Sequence, residues 1–139
     1  MTSTSLKTFA FAAILGLVPT LPLTAEDTPL SEQMEIVSKS MKLLRRAETT
    51  VDKVALVQKA QAATLEGLKY LPASFEQIKD KDALAKATAD YKRLTGLTYV
   101  GLCELEMAFL GGDEDEIDDA VDQLKELKKE GHKAYKSED

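Results

Sequence analysis

The sequence predicts an all-α domain, an antiparallel up-down-up-down four-helix bundle. Three observations predict it. From about residue 30 to 135, apolar residues recur at spacings of three and four in four blocks. No stretch alternates apolar and polar residues between hairpin turns, as strands would. The residues that end helices fall between the blocks, at Pro72 and at Gly111-Gly112. Four blocks of comparable length joined by short connections favour antiparallel neighbours.

Helix 1 is expected to start near Ser31, taken as its N-cap, and to end near Glu48-Thr49-Thr50. Leu30, Met34, Val37, Met41 and Leu44 share its apolar face. Helix 2 takes Thr50 as its cap and runs to about Tyr70, with Val51, Val54, Leu65 and Leu68 on a stripe that also carries Gln58 and Gln61. Pro72 closes it, and Ala73 to Asp80 is read as the long loop across one end. Helix 3 is the most apolar, with a stripe of Leu84, Ala87, Tyr91, Leu94, Thr98, Leu102, Leu105 and Phe109. Asp113 to Glu116 then form an acidic cap for helix 4, whose stripe is Ile117, Ala120, Val121, Leu124, Leu127, Gly131 and Tyr135.

Ahead of these blocks, Lys7 precedes the apolar run Phe9 to Val18 and then Pro19 to Ala25. That order reads as a cleavable signal peptide, residues 1–25, leaving the bundle as residues 26–139. The apolar run is about half the roughly 20 residues that span a bilayer, so no permanent membrane anchor is expected. Removing the leader takes away Lys7 and no acid, moving the formal charge from −6 to −7. Such a surface excludes nucleic acid as the natural partner. Cys103 is the only cysteine, so no intrachain disulfide forms. Within the apolar stretch of helix 3 it reads as a small buried hydrophobe.

In the antiparallel bundle the start of helix 1 lies beside the end of helix 4. With a rise of about 1.5 Å per residue, Met34 lies roughly 4.5 Å and His132 roughly 6 Å from that same end. Met41 lies about 15 Å deep, too far to share one metal with His132. Stepping about 100° per residue puts His132 at the border of its apolar stripe, beside Val121 and Tyr135. An imidazole and a thioether on opposite sides of a porphyrin form an axial pair found in electron-carrying cytochromes. The same residues also fit a plainer description, a histidine interacting with the helix dipole and a methionine filling the core. The acidic run Asp113 to Asp119 lacks the spacing of a calcium loop and reads as a solvated cap.

At these residues the chain resembles the cytochrome b562 family of periplasmic four-helix haem carriers. The segment Leu30-Ser-Glu-Gln-Met34 through Ala47 is similar to the family's first helix, with its methionine at Met34. The closing segment Leu124 to Tyr135 is similar to the family's last helix, where a histidine followed three residues later by an aromatic supplies the second ligand. Asp90-Tyr91-Lys-Arg-Leu94 resembles a stretch that places an aromatic near the porphyrin. The resemblance therefore implies one non-covalent haem b, with Met34 and His132 as axial ligands and Tyr91, Leu94 and Tyr135 lining the pocket. No CxxCH is present for covalent attachment. The chain departs from the family pattern in having Gly131 before the histidine and no arginine beyond Tyr135.

The expected role is that of a periplasmic single-electron carrier and not an enzyme, a monomer or weak dimer whose acidic surface meets basic faces on redox partner proteins. Two other readings stay open. One is an exported helical binding or chaperone-like module without haem. The other is a small metal-binding protein using Met34, His132 and nearby carboxylates.

Overall fold

Polar side chains placed just ahead of each apolar block decide where the helices begin. The computed structural model describes residues 28–135, and the predicted leader with its cleavage point lies outside the described residues. Helix α1 (Pro29–Leu44) is capped by Thr28, not by Ser31. Thr28 Oγ1 accepts from the Ser31 N–H at 3.1 Å, and Ser31 Oγ accepts from the Thr28 N–H at 3.0 Å. This reciprocal box satisfies two donors at once, and Pro29 fits the first turn because no partner is needed for a backbone N–H there. Helix α2 (Thr50–Gly67) is capped by Thr49, one residue before the expected cap, through the Asp52 N–H at 3.1 Å. It stops short of Tyr70, where the Lys69 and Tyr70 amides donate to carbonyls three residues back and tighten the chain toward Pro72.

The predicted loop from Ala73 to Asp80 contains a short 3-10 turn, Ala73–Gln77, which buries Phe75. Helix α3 (Lys81–Gly111) begins at Asp80, whose carboxylate accepts from the Ala83 N–H at 2.7 Å. It ends at Gly112, whose φ of 70° is left-handed and whose N–H reaches the Ala108 carbonyl at 2.9 Å. Helix α4 (Glu114–Tyr135) starts where Asp113 accepts from the Asp115 and Glu116 amides at 3.0 and 3.1 Å. Glu114, Asp115 and Glu116 complement the dipole of its first turn.

The described residues thus form four helices, and consecutive helices pack side by side. Met34 and Leu30 at the start of α1 meet Gly67 at the end of α2. Lys53 at the start of α2 lies over the Phe109 ring near the end of α3, 5.5 Å from its centroid. Arg93 near the start of α3 pairs with Glu130 near the end of α4 at 2.9 Å. By contrast, α1 and α4 do not pack directly along their lengths. One core spans all four helices through Leu44, Val57, Ala60, Leu102, Leu105, Phe109, Ala120 and Leu124, with Met41 and Val37 against it.

Gly101 lets α4 approach α3 closely, since a Cβ there would stand 3.0 Å from Leu124 Cδ2. The stripe predicted for α3 is inside, with Tyr91, Leu94, Leu102, Leu105 and Phe109 buried. The stripe predicted for α2 needs correction. Val51 is 78% exposed and Leu65 is also exposed, while Val57, Ala60, Ala63 and Thr64 form the buried side. Alanines lie all round α2, so its apolar period does not single out one face. Cys103 is half-buried rather than buried. Among the described residues, no helix is long and apolar enough to cross a membrane.

Leu105 is fully buried in the shared core, so Leu105→Ala is expected to cost about 2–5 kcal/mol. Thr49→Ala, which removes only a cap, is expected to cost about 1 kcal/mol. Urea unfolding followed by far-UV circular dichroism compares the two, and the prediction fails if the cap variant is the less stable.

Candidate functional site

The starts of α1 and α3 and the ends of α2 and α4 come together at one end of the domain. The contacts that assemble this end form a chain. Gly67 closes α2, and its missing side chain leaves room for Met34, whose Cε would lie 3.1 Å from a Cβ at that position. The Gly67 carbonyl, in the last turn of α2, accepts from the buried Tyr91 hydroxyl at 3.3 Å. That bond satisfies a phenol otherwise stranded in an apolar setting. Burial pushes the Tyr91 phenol above its ordinary pKa.

Around Tyr91, three rings pack edge to face. Phe75 from the connector stands 6.1 Å from Tyr91 and 5.3 Å from Tyr135, and the two tyrosines are 6.0 Å apart, centroid to centroid. Such edge contacts add about 0.5–1.5 kcal/mol each beyond the burial of the rings. Tyr135 donates its hydroxyl to the Asp90 carboxylate, and its own carbonyl accepts from Ser74 Oγ at 3.4 Å. The end of α4 is thereby tied to both α3 and the connector.

Electrostatics reinforce that tie. Asp90 also pairs with Arg93 at 2.8 Å, and Arg93 reaches Glu130 at 2.9 Å. The Tyr135 hydroxyl first, and Arg93 second, hold the Asp90 carboxyl below the usual carboxylate range. Partial burial, followed by the hydrogen bond to Asp90, pushes the Tyr135 phenol up to about 12. Both groups favour the pairing of neutral phenol with ionised carboxylate throughout the neutral range.

The sequence-predicted residues take the following places. Met34 is in the second turn of α1, 41% exposed, with its methyl group against the end of α2. His132 is exposed in the last turn of α4, three residues before Tyr135. Tyr91 and Tyr135 are brought into direct contact, and Leu94 is buried one turn further along α3. Met34, Gly67, Tyr91 and Tyr135 form a continuous line of contacts from α1 to α4. Met41 instead packs against the common core, deeper along α1.

Sequence reasoning missed Phe75 and Gly67. Phe75 lies in a segment read as plain loop, although a lone aromatic just after Pro72 is a signal that the loop is anchored. Gly67 gave no periodic signal at all. Among the described residues, no three His, Cys, Asp or Glu side chains converge into a metal-sized group. A shallow concavity lined by Lys39, Lys42, Leu43, Arg45 and Arg46 lies near the opposite end of α1. It offers cations and no soft or imidazole ligand. No family model matches this chain, and no curated protein is similar to it.

The phenol of Tyr135 carries its own pH prediction. Its folded pKa of about 12 exceeds the ordinary value of about 10. The neutral phenol therefore contributes stability that is fully present below about 10 and is lost as the pH rises through about 12. Ultraviolet titration at the tyrosinate band is expected to show a phenol titrating near 12 that disappears in Tyr135→Phe. Loss of no such phenol on substitution contradicts the Tyr135–Asp90 assignment.

Proposed function

We propose that this chain is an exported single-electron carrier of the cytochrome b562 type, an up-down-up-down bundle holding one haem b without covalent attachment. The observation that supports it most is the placement of Met34 and His132. They belong to the same end of the domain, on α1 and α4, the two sequence-terminal helices that leave a seam instead of packing along their lengths. A flat group entering that seam would be held by the Met34 thioether on one side and the His132 imidazole on the other. Tyr91, Leu94 and Tyr135 would supply the apolar and aromatic wall behind it.

The donor set fits the group. Thioether and imidazole are the axial pair of low-spin electron carriers, and the bound haem would supply reversible one-electron chemistry at the iron, with methionine raising the potential. The chain's own residues orient and enclose. Tyr135, locked to Asp90 and to the aromatic trio, holds the last turn of α4 and so sets the position of His132 one turn earlier. Gly67 lets the Met34 methyl approach α2 closely, which restricts the rotamers from which its sulfur can turn toward the seam. Met34 and His132 would hold the group from the chain itself, in keeping with electron transfer rather than bond making. The leader, residues 1–25, supports a periplasmic location, and the net charge of −7 expected after its removal favours basic faces on redox partners.

Spectra of the purified protein, supplied with haem and recorded oxidised and reduced, test the reading. A six-coordinate low-spin signature is expected in the unmodified protein. His132→Ala is expected to lose it, and Met34→Ala to give a lower potential. A protein that takes up no haem, or whose spectrum is indifferent to both substitutions, is not a carrier of this type.

A further inference from the structure

Charge is divided between the two ends of this domain. Cut at the midpoints of the helices, the half that holds Met34 and His132 (residues 28–36, 59–96 and 125–135) carries eleven basic and nine acidic residues. The other half carries five basic and eleven acidic residues, so the acidic excess of the described residues lies entirely there. Helix α4 and its cap show the division most sharply. From Asp113 to Asp122 there are seven acids and no base, and from Gln123 to Lys133 there are four lysines and two glutamates.

Within the lysine-rich part the two signs take different sides of the helix. Stepping about 100° per residue puts Lys125, Lys128 and Lys129 within about 60° of His132, and Glu126 and Glu130 about 120° and 160° away from it. Glu130 is turned to α3, where it meets Arg93 at 2.9 Å. Lys125 and Lys129 bridge to Asp122 and Glu126 at 2.7 and 3.8 Å, with all four side chains largely exposed. Exposed pairs of this kind hold weakly and exchange readily for a partner's carboxylates. Across the seam, α1 brings Glu32 and Glu35 to the level of His132, and Glu35 is paired with Lys39 at 2.7 Å. That leaves Glu32 beside three lysines.

The helix dipole does not account for this edge. It favours cations in the last turn, where Lys133 lies, and it falls off before Lys125; nor does it sort the glutamates to the other side. A lipid surface is a poor occupant, because none of the large apolar side chains exposed among the described residues belongs to α4, and nothing on the edge would enter a bilayer. The rival cationic cluster, Lys39, Lys42, Arg45 and Arg46, lies at the same end of the domain as the acidic start of α4, where an acidic partner is repelled. Screening sharpens the contrast. The Debye length is about 8 Å at physiological salt, whereas Asp113 to Asp119 lie roughly 20–30 Å from His132 along the axis.

We propose that the edge of α4 formed by Lys125, Lys128 and Lys129 is the docking surface for an acidic redox protein, which exchanges its electron beside His132. This rests on the carrier reading above. It reverses, at contact, the partner charge that the net value of the whole chain favours at long range. Carboxylates of the partner displace Asp122 and Glu126 from their lysines and bring its redox centre to the end of the domain where Met34 and His132 lie. The acids at the far end orient the encounter, since they push the same partner away from the wrong end.

Plant-type ferredoxin, an acidic one-electron donor of low potential, serves as the probe for the protein purified from the full-length coding sequence. On stopped-flow mixing, one electron passes from the reduced cluster to the ferric haem, leaving the cluster oxidised and the haem ferrous. The rate is expected to fall at least about tenfold from about 0.02 M to about 0.5 M salt, and K125E/K129E to lower it at least about tenfold at low salt. D115K/D119K, at the far end, should change it by no more than about twofold. A rate that rises with salt, or that ignores the lysine substitutions, overturns the proposal. Backbone amide spectra of the haem-free protein with oxidised ferredoxin give a second readout that needs no haem. Broadening is expected at residues 125–133, and broadening confined to residues 39–46, or none, overturns the proposal. A protein that takes up no haem yet is broadened at 125–133 sinks the carrier reading and keeps the docking edge. If K125E/K129E fails to fold, K125Q/K129Q is read the same way. Flotation with phosphatidylglycerol vesicles that the lysine substitutions abolish assigns the edge to lipid and overturns the proposal.

Discussion

Tyr91 ties together more of this domain than any other side chain at the site end. Its ring is buried on α3, its hydroxyl needs an acceptor, and the nearest one is the carbonyl that α2 leaves at Gly67. The same ring meets Phe75 from the connector and Tyr135 from α4. One buried phenol therefore fixes the distance between α2 and α3, the path of the chain after Pro72 and the docking of the last turn of α4. A buried polar group left without its partner would cost about 1–3 kcal/mol, so the arrangement has little freedom to drift.

Outward from that point, the two ends of the chain are held differently. The end of α4 is anchored by rings, by the Tyr135–Asp90 bond and by the Arg93 bridge to Glu130. Each ion pair there is half-exposed and worth little alone, whereas the aromatic packing is buried. The start of α1 is anchored by its close approach to Gly67 and by the box formed between Thr28 and Ser31. Helix α1 packs along α2 and α4 along α3, whereas α1 and α4 do not pack directly along their lengths.

Charge follows the same division. The outward sides of α1 and α4 are crowded with ionised residues, while Val51, Leu65, Val100, Met107 and Leu110 lie exposed on α2 and α3.

Helix 3 was legible from its stripe, because Tyr91, Leu94, Leu102, Leu105 and Phe109 recur at helical spacing and are all buried. The caps were legible to within one to three residues, since Thr28 and Ser31, or Thr49 and Thr50, are chemically equivalent candidates and only backbone geometry chooses between them. Helix 2 was legible as a helix but not as a surface. Small residues surround it, so Val51 and Leu65 read as core when they face outward. Met34 could be named from spacing, and Tyr91 and Tyr135 only through the family resemblance. That Gly67 links the first two, and Phe75 the last two, could be read from neither.

What the sequence by itself determined is the helical class and the order of the blocks, because those depend on period and on side-chain type over a few turns. The tertiary structure decided which side of α2 is buried, which carbonyl receives the Tyr91 hydroxyl and which pair of helices leaves a seam. These depend on contacts between residues far apart in the chain, as between Gly67 and Tyr91 or Asp90 and Tyr135. Local periodicity carries no information about such pairs, since each partner satisfies its own helix equally well before the helices meet.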